Sequence, residues 1–346
     1  MAKKIVIDGL IFGLQRAGGI SRFWTSLLAG LDEHPDYKII LLLPKNRNVE
    51  WEELAPRLKR LRIIKRKTFR WEKRSFVRDS LYLTRMAAYL QPDLWHTTFF
   101  GGMPLWRCEK IATLYDMIPE ILKIASPYER LMKERNMRSC NAIVTISESS
   151  ARDMETFWPG IHEKTSVIPV CHTPTPRYPK ERGEPYLLFV GKRGGYKNFL
   201  PTCQTLLADP RFEHLKIYVV GGEEESVQSD RVVQFGVLPH ERVDRLVAGA
   251  EAVLFPSLYE GFGIPILEAF AQGVPVLAMR TSSIPEVTGE DYPLAKDVHA
   301  LGDTLERLLN ERERWIAHGA QRVDLFSRDK ILSKLYAFYQ ERLHAL

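Results

Sequence analysis

The sequence predicts an α/β protein made of two domains, each a mostly parallel sheet flanked by helices. Its 346 residues are too many for one ordinary hydrophobic core and suit two domains of about 150–180 residues each. Apolar runs of strand length alternate with stretches of helical periodicity, an order typical of βαβ units. A segment containing four prolines, at 173–185, separates two series of such units.

The first series begins with a buried strand and a glycine-bearing loop, and the second restarts the same pattern after the prolines. The strands predicted for the first half are 3–8, 37–43, 61–64, 94–97, 110–114 and 142–146, and its helices are 20–31, 77–90 and 128–138. Those predicted for the second half are strands 186–190, 216–220, 231–235, 252–255 and 274–278, and helices 198–208, 241–248 and 265–271. A last helix at 330–343 has its apolar residues on one face. The predicted domains are therefore 1–172 and 186–326, with 173–185 as linker and 327–346 as a C-terminal helix.

Composition limits the class of protein. A hydrophobic content of 45% and a charged content of 27% describe a soluble globular chain. We expect a cytoplasmic protein, because no signal segment is visible and the longest apolar runs are too short to span a membrane. The four cysteines form no C-x-x-C pair, and no Asp-x-Asp occurs, so neither a metal nor another cofactor is expected.

Positive charge is concentrated in the first half. Residues 1–180 contain 30 Lys and Arg against 19 Asp and Glu, whereas the rest contains 19 against 24. In Arg57–Arg78, eleven basic residues interleaved with apolar ones meet one acid. This stretch is either a solvated helix face whose apolar side packs in the core, or a surface that binds anionic lipid headgroups and holds the protein at the cytoplasmic face of the membrane. No recognised nucleic-acid module accompanies the charge, so no nucleic-acid partner is expected.

Two carboxylates lie eight positions apart around a glycine turn in the second half. Gly261 and Gly263 let the backbone approach a ligand closely, and Pro265 suits the first turn of a helix. The amides that begin such a helix favour an anion such as a pyrophosphate. We expect Glu268 in the first turn of the helix and Glu260 in the loop. Alternatively, Glu268 only complements the helix dipole and Glu260 only faces solvent.

A second glycine loop holds three cations. Lys192, Arg193 and Lys197 follow the strand that ends near Gly191 and precede a helix. Cations beside glycines and a helix N-terminus form a phosphate cradle. The alternative is that the glycines only turn the chain and the cations are solvated.

The string PSLYEGFG at 256–263, followed by Glu268, resembles the E-x7-E signature of retaining glycosyltransferases of group 1, family 4. The resemblance implies a GT-B fold, in which two Rossmann-like domains face a substrate cleft and the C-terminal helix crosses back to the N-terminal domain. It also implies that Glu268 holds the ribose hydroxyls of a nucleotide-sugar donor. Glu260 and the backbone of Gly261–Gly263 would hold the sugar.

Further donor contacts are implied by the same resemblance. Lys192 and Lys197 match the family's two basic positions and are assigned to the pyrophosphate, with Arg193 as a nearby substitute. The loop Gly236–Pro239 would line the base. The residues assigned to the donor are Gly18, Gly19, Gly191, Lys192, Arg193, Lys197, Val237, Leu238, Glu260, Gly261, Phe262, Gly263, Ile264 and Glu268.

The first half supplies candidates near the acceptor. The loop at 16–21 resembles the family's glycine-rich loop, whose backbone meets the donor phosphates or the transferred sugar, so it is assigned to the donor and not to the acceptor. Many relatives have His-Asp where this chain has Tyr115 and Asp116, which leaves Asp116 as the polar candidate. His96 ends another strand and is a further candidate. The residues expected to act in catalysis are thus Glu260, Lys197, Asp116 and His96.

Together these features predict a metal-independent retaining hexosyltransferase that uses a nucleotide diphosphate sugar. The strings RGGYKN and YDMIP resemble O-antigen mannosyltransferases and favour GDP-mannose over a UDP-sugar. The basic first half favours a lipid-linked glycan of cell-surface polysaccharide or lipopolysaccharide as acceptor. A nucleotide-sugar epimerase or hydrolase on the same fold, and a non-catalytic nucleotide-sugar or nucleic-acid binding protein, are the alternatives.

Overall fold

The computed structural model describes residues 2–45, 48–66, 75–180, 183–222 and 227–344. The chain divides into two compact units. The N-terminal unit comprises Met1–Cys171 and Arg328–Leu346, and the C-terminal unit comprises His172–Ser327. Each unit has its own parallel sheet and helices, as the alternation of apolar patterns predicts.

The sheet of the N-terminal unit has seven strands within the described residues, in the order β3-β2-β1-β4-β5-β6-β7. Its strands are β1 (Lys3–Ile7), β2 (Tyr37–Pro44), β3 (Arg62–Arg66), β4 (Leu94–Thr97), β5 (Glu109–Leu114), β6 (Ala142–Thr145) and β7 (Thr165–Val167). Its helices up to residue 157 are α1 (Ile11–Leu14), α2 (Gly19–Glu33), α3 (Val49–Leu54), α4 (Ser75–Leu90), α5 (Ile118–Ile121), α6 (Pro127–Ser139) and α7 (Glu148–Phe157). The central strands are buried, so the site-bearing loops leave from a rigid sheet.

The C-terminal unit has a five-stranded sheet within the described residues, in the order β10-β9-β8-β11-β12. Its strands are β8 (Tyr186–Val190), β9 (Lys216–Val220), β10 (Val232–Gly236), β11 (Ala252–Phe255) and β12 (Val276–Ala278). Its helices are α8 (Phe199–Ala208), α9 (His240–Gly249), α10 (Ile264–Ala271), α11 (Ile284–Thr288), α12 (Leu301–Asn310) and α13 (Arg312–Leu325). The last helix, α14 (Arg328–His344), belongs to the N-terminal unit.

Helix α14 packs on the N-terminal unit through the apolar face that its spacing predicts. Leu332 lies against α2 at Gly30, where a Cβ atom would meet the Leu332 side chain at 2.2 Å. Tyr339 is fully buried, and its hydroxyl lies 2.6 Å from Nδ1 of His96. The C-terminal helix therefore completes the N-terminal unit, as the resemblance implies.

Several helices were not predicted from the sequence. They include α12 and α13, although α12 buries Leu301, Leu305 and Leu308 at helical spacing. Helix α7 was not predicted because its buried face is made largely of small side chains, including Ser149, Ser150 and Ala151. Its N-terminus is capped by Ser147, whose hydroxyl accepts from the Ser150 amide. Such a helix packs closely on the sheet without the leucine periodicity that marks α2.

Both interpretations of the basic stretch place its cations at the surface, and Arg66 contradicts them. The helix interpretation is also wrong for Arg62–Arg66, which forms strand β3. The Arg66 guanidinium is buried and donates to Asp8 at 3.1 Å and to Asp79 at 2.6 Å. Asp8 also accepts from the Thr98 amide, 2.9 Å away. Arg66 is therefore part of the core, and residues 67–74 of the same stretch lie outside the described residues.

None of the described helices combines the length and the apolar character that crossing a bilayer requires. Cys108, Cys140, Cys171 and Cys203 are all buried as free thiols.

We predict that Arg66→Ala lowers the free energy of unfolding of the N-terminal unit by about 3–5 kcal/mol, because it leaves two buried carboxylates without their cation. Burial raises the pKa of Asp8, so this loss shrinks as the pH is lowered and the carboxyl takes up a proton. Urea titration followed by tryptophan fluorescence measures the change, since Trp315 is the only one of the seven tryptophans outside the N-terminal unit.

The matched control is Arg62→Ala, which removes an exposed cation from the same strand and should change the stability by less than about 0.5 kcal/mol. Equal effects of the two substitutions would show that the buried ion pairs add nothing to stability.

Candidate functional site

The loop between β11 and α10 has the form that the sequence predicts. Gly263 caps the helix with φ 116°, a left-handed conformation that favours glycine. Helix α10 begins at Ile264, with Pro265 in its first turn. Glu268 is therefore the fifth helical residue, and the expectation that it lies in the first turn is wrong by one position. It lies just past the first turn of this eight-residue helix.

Two of the predicted catalytic residues are in direct contact. Nζ of Lys197 lies 2.6 Å from Oε1 of Glu260. The side chains are 23% and 12% exposed, so the ion pair is partly shielded from water but still reachable. The ammonium also lies 5.0 Å and 5.7 Å from the ring centres of Tyr196 and Phe255. The loop that follows β8 and the E-x7-E loop thus meet at a half-buried cation held by a carboxylate.

Two serines that sequence reasoning missed hold the Glu260 loop in place. The Glu260 amide donates to the hydroxyl of Ser282, 2.8 Å away. The buried Ser283 hydroxyl lies 3.0 Å and 2.9 Å from the carbonyl oxygens of Glu260 and Phe262. Ser282 has φ 44°, a left-handed conformation that non-glycine residues adopt rarely. The serines follow β12, more than twenty positions after Glu260, so no local pattern links them to the loop.

The glycines that follow β8 and β9 allow two backbones to approach closely. Gly191 and Gly221 have φ values of 131° and 125°. A Cβ atom on Gly221 would lie 2.3 Å from the carbonyl oxygen of Gly191. The exposed Lys192 directly follows Gly191. The strand ends are therefore shaped by glycine, and Lys192 is presented to solvent there.

Arg193 does not take the place expected for it as a substitute for Lys192. Its side chain is buried, and its Nη1 donates to Oε1 of Gln234 on β10 at 2.8 Å. The guanidinium also lies 5.9 Å from the ring centre of Phe199. Arg193 therefore joins the loop that follows β8 to the neighbouring part of the unit, through Gln234 on β10 and Phe199 on α8. In the loop that follows β10, Val237 is exposed and Leu238 is half-buried.

In the N-terminal unit, the glycine loop before α2 is held by carboxylate and amide side chains. The Gly18 amide donates to Oε1 of Glu50 at 3.1 Å, and the Ser21 amide donates to Oε1 of Gln15 at 3.2 Å. The second carboxylate oxygen of Glu50 accepts from the Ser21 hydroxyl. Gly19 is exposed beside them. Glu50 lies 32 positions away from Gly18, and no sequence signal pointed to it.

His96 has a structural environment instead of the catalytic one expected. It is 1% exposed, and its two ring nitrogens lie 2.6 Å from the Tyr339 hydroxyl and 2.8 Å from the Thr113 hydroxyl. Burial lowers the pKa of His96 to about 3, so the ring stays neutral. The histidine joins helix α14 to the sheet and has no open side for a substrate.

Asp116 lies at the carboxyl end of β5 in a half-buried position. Its carboxylate accepts from the Ile118 amide at 3.0 Å, and Lys133 donates to its backbone oxygen at 2.9 Å. Tyr115, which occupies the family's histidine position, is buried. Its hydroxyl accepts from Nε1 of Trp24 and donates to the Thr98 carbonyl oxygen, both at 2.6 Å. Tyr115 is thus fixed in the core, and Asp116 remains the polar side chain presented at this strand end.

Among the described residues, no three or more His, Cys, Asp or Glu side chains lie together in a group that could hold a metal ion.

Comparison with known proteins identifies the family. Residues 17–172 match the family model described as Glycosyltransferase Family 4, and residues 184–311 match the model described as Glycosyl transferases group 1. The chain therefore belongs to the group 1, family 4 glycosyltransferases.

Curated relatives include two mannosyltransferases. The chain is 29% identical over 233 residues to the MMP alpha-(1->4)-mannosyltransferase of Mycolicibacterium hassiacum. The aligned segment covers 61% of this chain and 57% of the relative. The chain is 27% identical over 235 residues to the O-antigen chain mannosyltransferase B of Escherichia coli, with an aligned segment that covers 59% and 62%. The matched segments span less than two thirds of either relative's own length.

Solved structures share the fold across nearly the whole chain. A sucrose-phosphate synthase from Thermosynechococcus elongatus gives a TM-score of 0.74 at 16% identity, covering 100% of both chains. Anabaena HepE in complex with UDP-glucose gives 0.68 at 14% identity, covering 98% of this chain and 99% of that one. WaaG, a glycosyltransferase involved in lipopolysaccharide biosynthesis, gives 0.67 at 14%, covering 96% and 98%. These likenesses confirm the predicted GT-B fold.

We predict that Gly221→Ala destabilises the C-terminal unit by about 2–4 kcal/mol, because the added Cβ meets a backbone oxygen and the residue must keep a positive φ. In thermal unfolding followed by circular dichroism, this should lower the midpoint by more than about 4 °C. Gly222→Ala is the neighbouring control, since a Cβ there meets nothing within 4 Å. If Gly221→Ala unfolds at the wild-type temperature, the close approach of the Gly191 and Gly221 backbones does not require glycine at position 221.

Proposed function

We propose that the protein is a retaining glycosyltransferase that transfers a hexose from a nucleotide diphosphate sugar to an acceptor hydroxyl. The observation that carries the proposal is the contact between Lys197 and Glu260, placed where the E-x7-E loop opens helix α10 in a chain of this family. A half-buried cation beside a carboxylate suits a substrate that has both a diphosphate and sugar hydroxyls.

Each residue has a distinct role in this proposal. Glu268 binds the ribose hydroxyls, and Glu260 binds hydroxyls of the transferred sugar. Lys192 and Lys197 stabilise the negative charge that grows on the diphosphate as the glycosidic bond breaks. The N-terminal end of α10 adds its partial positive charge. We propose that these groups make the transfer independent of a metal ion.

The transfer takes place on one face of the sugar. The bond between the anomeric carbon and the diphosphate oxygen breaks, and the acceptor oxygen bonds to the same carbon from the same side. The acceptor proton passes to the departing diphosphate, so the products are the glycoside and a nucleoside diphosphate. This course keeps the anomeric configuration and needs no covalent intermediate on the protein.

GDP-mannose is the donor we favour, because two curated relatives are named as mannosyltransferases. A UDP-sugar is the competing donor, since Anabaena HepE, which shares the fold, was solved in complex with UDP-glucose. For the acceptor we propose a saccharide carried on a lipid, as in lipopolysaccharide or another surface polysaccharide. The excess of basic residues before position 180 and the O-antigen relative support this acceptor.

We predict that GDP and GDP-mannose raise the thermal unfolding temperature of the protein more than UDP and UDP-glucose do. A ligand at about 100 times its dissociation constant adds about 2.7 kcal/mol to the stability of the folded protein. Differential scanning fluorimetry with the four nucleotides measures the order. A larger shift with the UDP compounds would make a UDP-sugar the proposed donor instead of GDP-mannose. No shift with any of the four nucleotides would overturn the transferase proposal.

We predict that Lys197→Ala lowers the turnover of the transferase by about 100-fold to 1000-fold, because it removes a preorganised charge from the leaving group. The rate is measured as release of the nucleoside diphosphate in the presence of acceptor. Lys216→Ala removes a lysine that is paired with Glu184 on the same unit and should leave the rate unchanged. Equal rates for Lys197→Ala and the wild type would show that Lys197 does not stabilise the leaving group.

The product identifies the class of reaction. We predict an α-linked product from an α-linked donor in proton NMR, and the same rate after treatment with EDTA. A β-linked product would show inversion, and free sugar formed at the same rate without acceptor would show a hydrolase.

A further inference from the structure

Ser282 has a backbone conformation that its residue type rarely adopts. Among the described residues other than glycine, four have φ in the left-handed region, namely Gln91, Lys123, Asn198 and Ser282. Gln91 and Lys123 follow helices α4 and α5, and left-handed residues commonly end helices. Asn198 is an asparagine, whose short polar side chain makes this conformation less costly. Ser282 fits neither explanation, since it lies between β12 and α11.

Three consecutive hydroxyls contact the loop that contains Glu260. The Thr281 hydroxyl donates to the Leu258 carbonyl oxygen at 2.8 Å. The Ser282 hydroxyl accepts from the Glu260 amide at 2.8 Å, and the Ser283 hydroxyl donates to the Glu260 carbonyl oxygen at 3.0 Å. Ser282 is therefore the member of this trio that supplies an acceptor for a backbone amide.

The left-handed turn at Ser282 lets these hydroxyls reach the same loop. In an extended chain successive side chains point to opposite sides, so three consecutive hydroxyls would not face one loop. Ser282 interrupts the extended course with φ 44°. Glycine would adopt this φ without steric conflict but would supply no hydroxyl. The strained backbone is therefore retained together with the acceptor for the Glu260 amide.

The two backbone contacts to Glu260 fix the direction of its side chain. Its amide is held by Ser282 and its carbonyl oxygen by Ser283, so the peptide planes on both sides of its Cα are fixed. The φ and ψ angles between those planes set the direction of the Cα–Cβ bond. The place of the Glu260 carboxylate thus depends on these serines as well as on its ion pair with Lys197.

The Glu260 loop is attached to the loop that follows β8 independently of Ser282. The Leu258 amide donates to the Tyr196 carbonyl oxygen at 2.8 Å, and Lys197 pairs with the Glu260 carboxylate at 2.6 Å. Loss of the Ser282 hydroxyl removes none of these groups. Since the proposed function assigns the diphosphate to Lys197 and the sugar to Glu260, we expect this loss to weaken binding of the sugar and to spare the diphosphate.

We propose that Ser282 positions Glu260 for the transferred sugar, and that its left-handed backbone is retained for this role although it lowers stability. Ser282 is a positioning residue, because it acts through the Glu260 backbone and not on the reacting atoms. The inference rests on the proposed function, in which Glu260 binds the sugar. It adds a residue that serves recognition of the sugar and not of the nucleoside diphosphate.

The binding test compares Ser282→Ala and Ser282→Gly, which both remove the hydroxyl. Isothermal titration calorimetry without acceptor measures binding of GDP and GDP-mannose, with UDP and UDP-glucose measured in parallel. Both variants should keep the wild-type affinity for the nucleoside diphosphate and lose about tenfold in affinity for the nucleotide sugar. Equal losses for GDP and GDP-mannose would show a general defect of the unit and would overturn the positioning role.

The matched control is Gln91→Gly. Gln91 has the same left-handed conformation but is exposed on the N-terminal unit, just before β4. The control should bind all four nucleotides as the wild type does. A loss of affinity for the nucleotide sugar as large as that of Ser282→Gly would show that relief of backbone strain anywhere weakens binding, and would overturn the role of the Ser282 hydroxyl.

The stability test separates the backbone of Ser282 from its hydroxyl. Ser282→Gly should unfold about 2–4 °C above Ser282→Ala in circular dichroism, because only glycine adopts the left-handed φ without steric conflict. Equal loss of sugar affinity in the more stable and the less stable variant would support the role of the hydroxyl. Equal unfolding temperatures would show that the backbone is not strained and would overturn that part of the proposal.

Failure of the positioning role is distinct from failure of the transferase. Wild-type affinity of both Ser282 variants for the nucleotide sugar overturns the role of Ser282 and leaves the proposed function in place. Absence of binding by the wild type to all four nucleotides overturns the proposed function, and the role of Ser282 with it.

Discussion

Parallel strand pairing is the constraint that brings the candidate site residues of each unit together. Every strand pairing that the structure describes is parallel. Each strand therefore ends at the same edge of its sheet as its neighbours, and chemically useful loops are brought together however far apart they lie in the chain. In the C-terminal unit this register joins Gly191 to Val220 and Gly221 to Gly236 through backbone hydrogen bonds. Lys197 and Glu260, 63 positions apart, meet because β8 and β11 are adjacent in that register.

The sequence was informative where burial and chemistry leave a local pattern. Apolar runs located nearly all of the strands, and the glycine turn located the loop that holds Glu260. Not every helix was predicted: α7 has small buried side chains and no leucine pattern, whereas α12 has such a pattern and was still missed. Long-range partners were also missed: Ser282 and Glu50 are common polar residues, and only the fold brings them to the loops they support. His96 was misjudged because a histidine at a strand end looks the same in sequence whether it faces a ligand or, as here, a buried tyrosine.

Net charge in a sequence does not report which charges meet solvent. The basic stretch contains Arg66, whose charge is balanced inside the protein by Asp8 from β1 and Asp79 from α4. Arg193 is likewise buried, although it stands beside the exposed Lys192. A cation beside a strand end thus has two uses that sequence spacing cannot separate, one in binding anions and one in joining the strand to its neighbours.

The return of α14 to the N-terminal unit has a consequence for how the chain is made. The C-terminal unit, His172–Ser327, is continuous in sequence and interrupts the N-terminal unit. During synthesis all of its residues leave the ribosome before Tyr339, so it can fold while the N-terminal unit still lacks its last helix. Until then, the His96 side chain lacks the tyrosine hydroxyl that it contacts in the finished protein. The unit whose sequence begins first is therefore the one completed last. A chain truncated before residue 328 would leave helix α2 uncovered at Gly30 and His96 without its tyrosine partner.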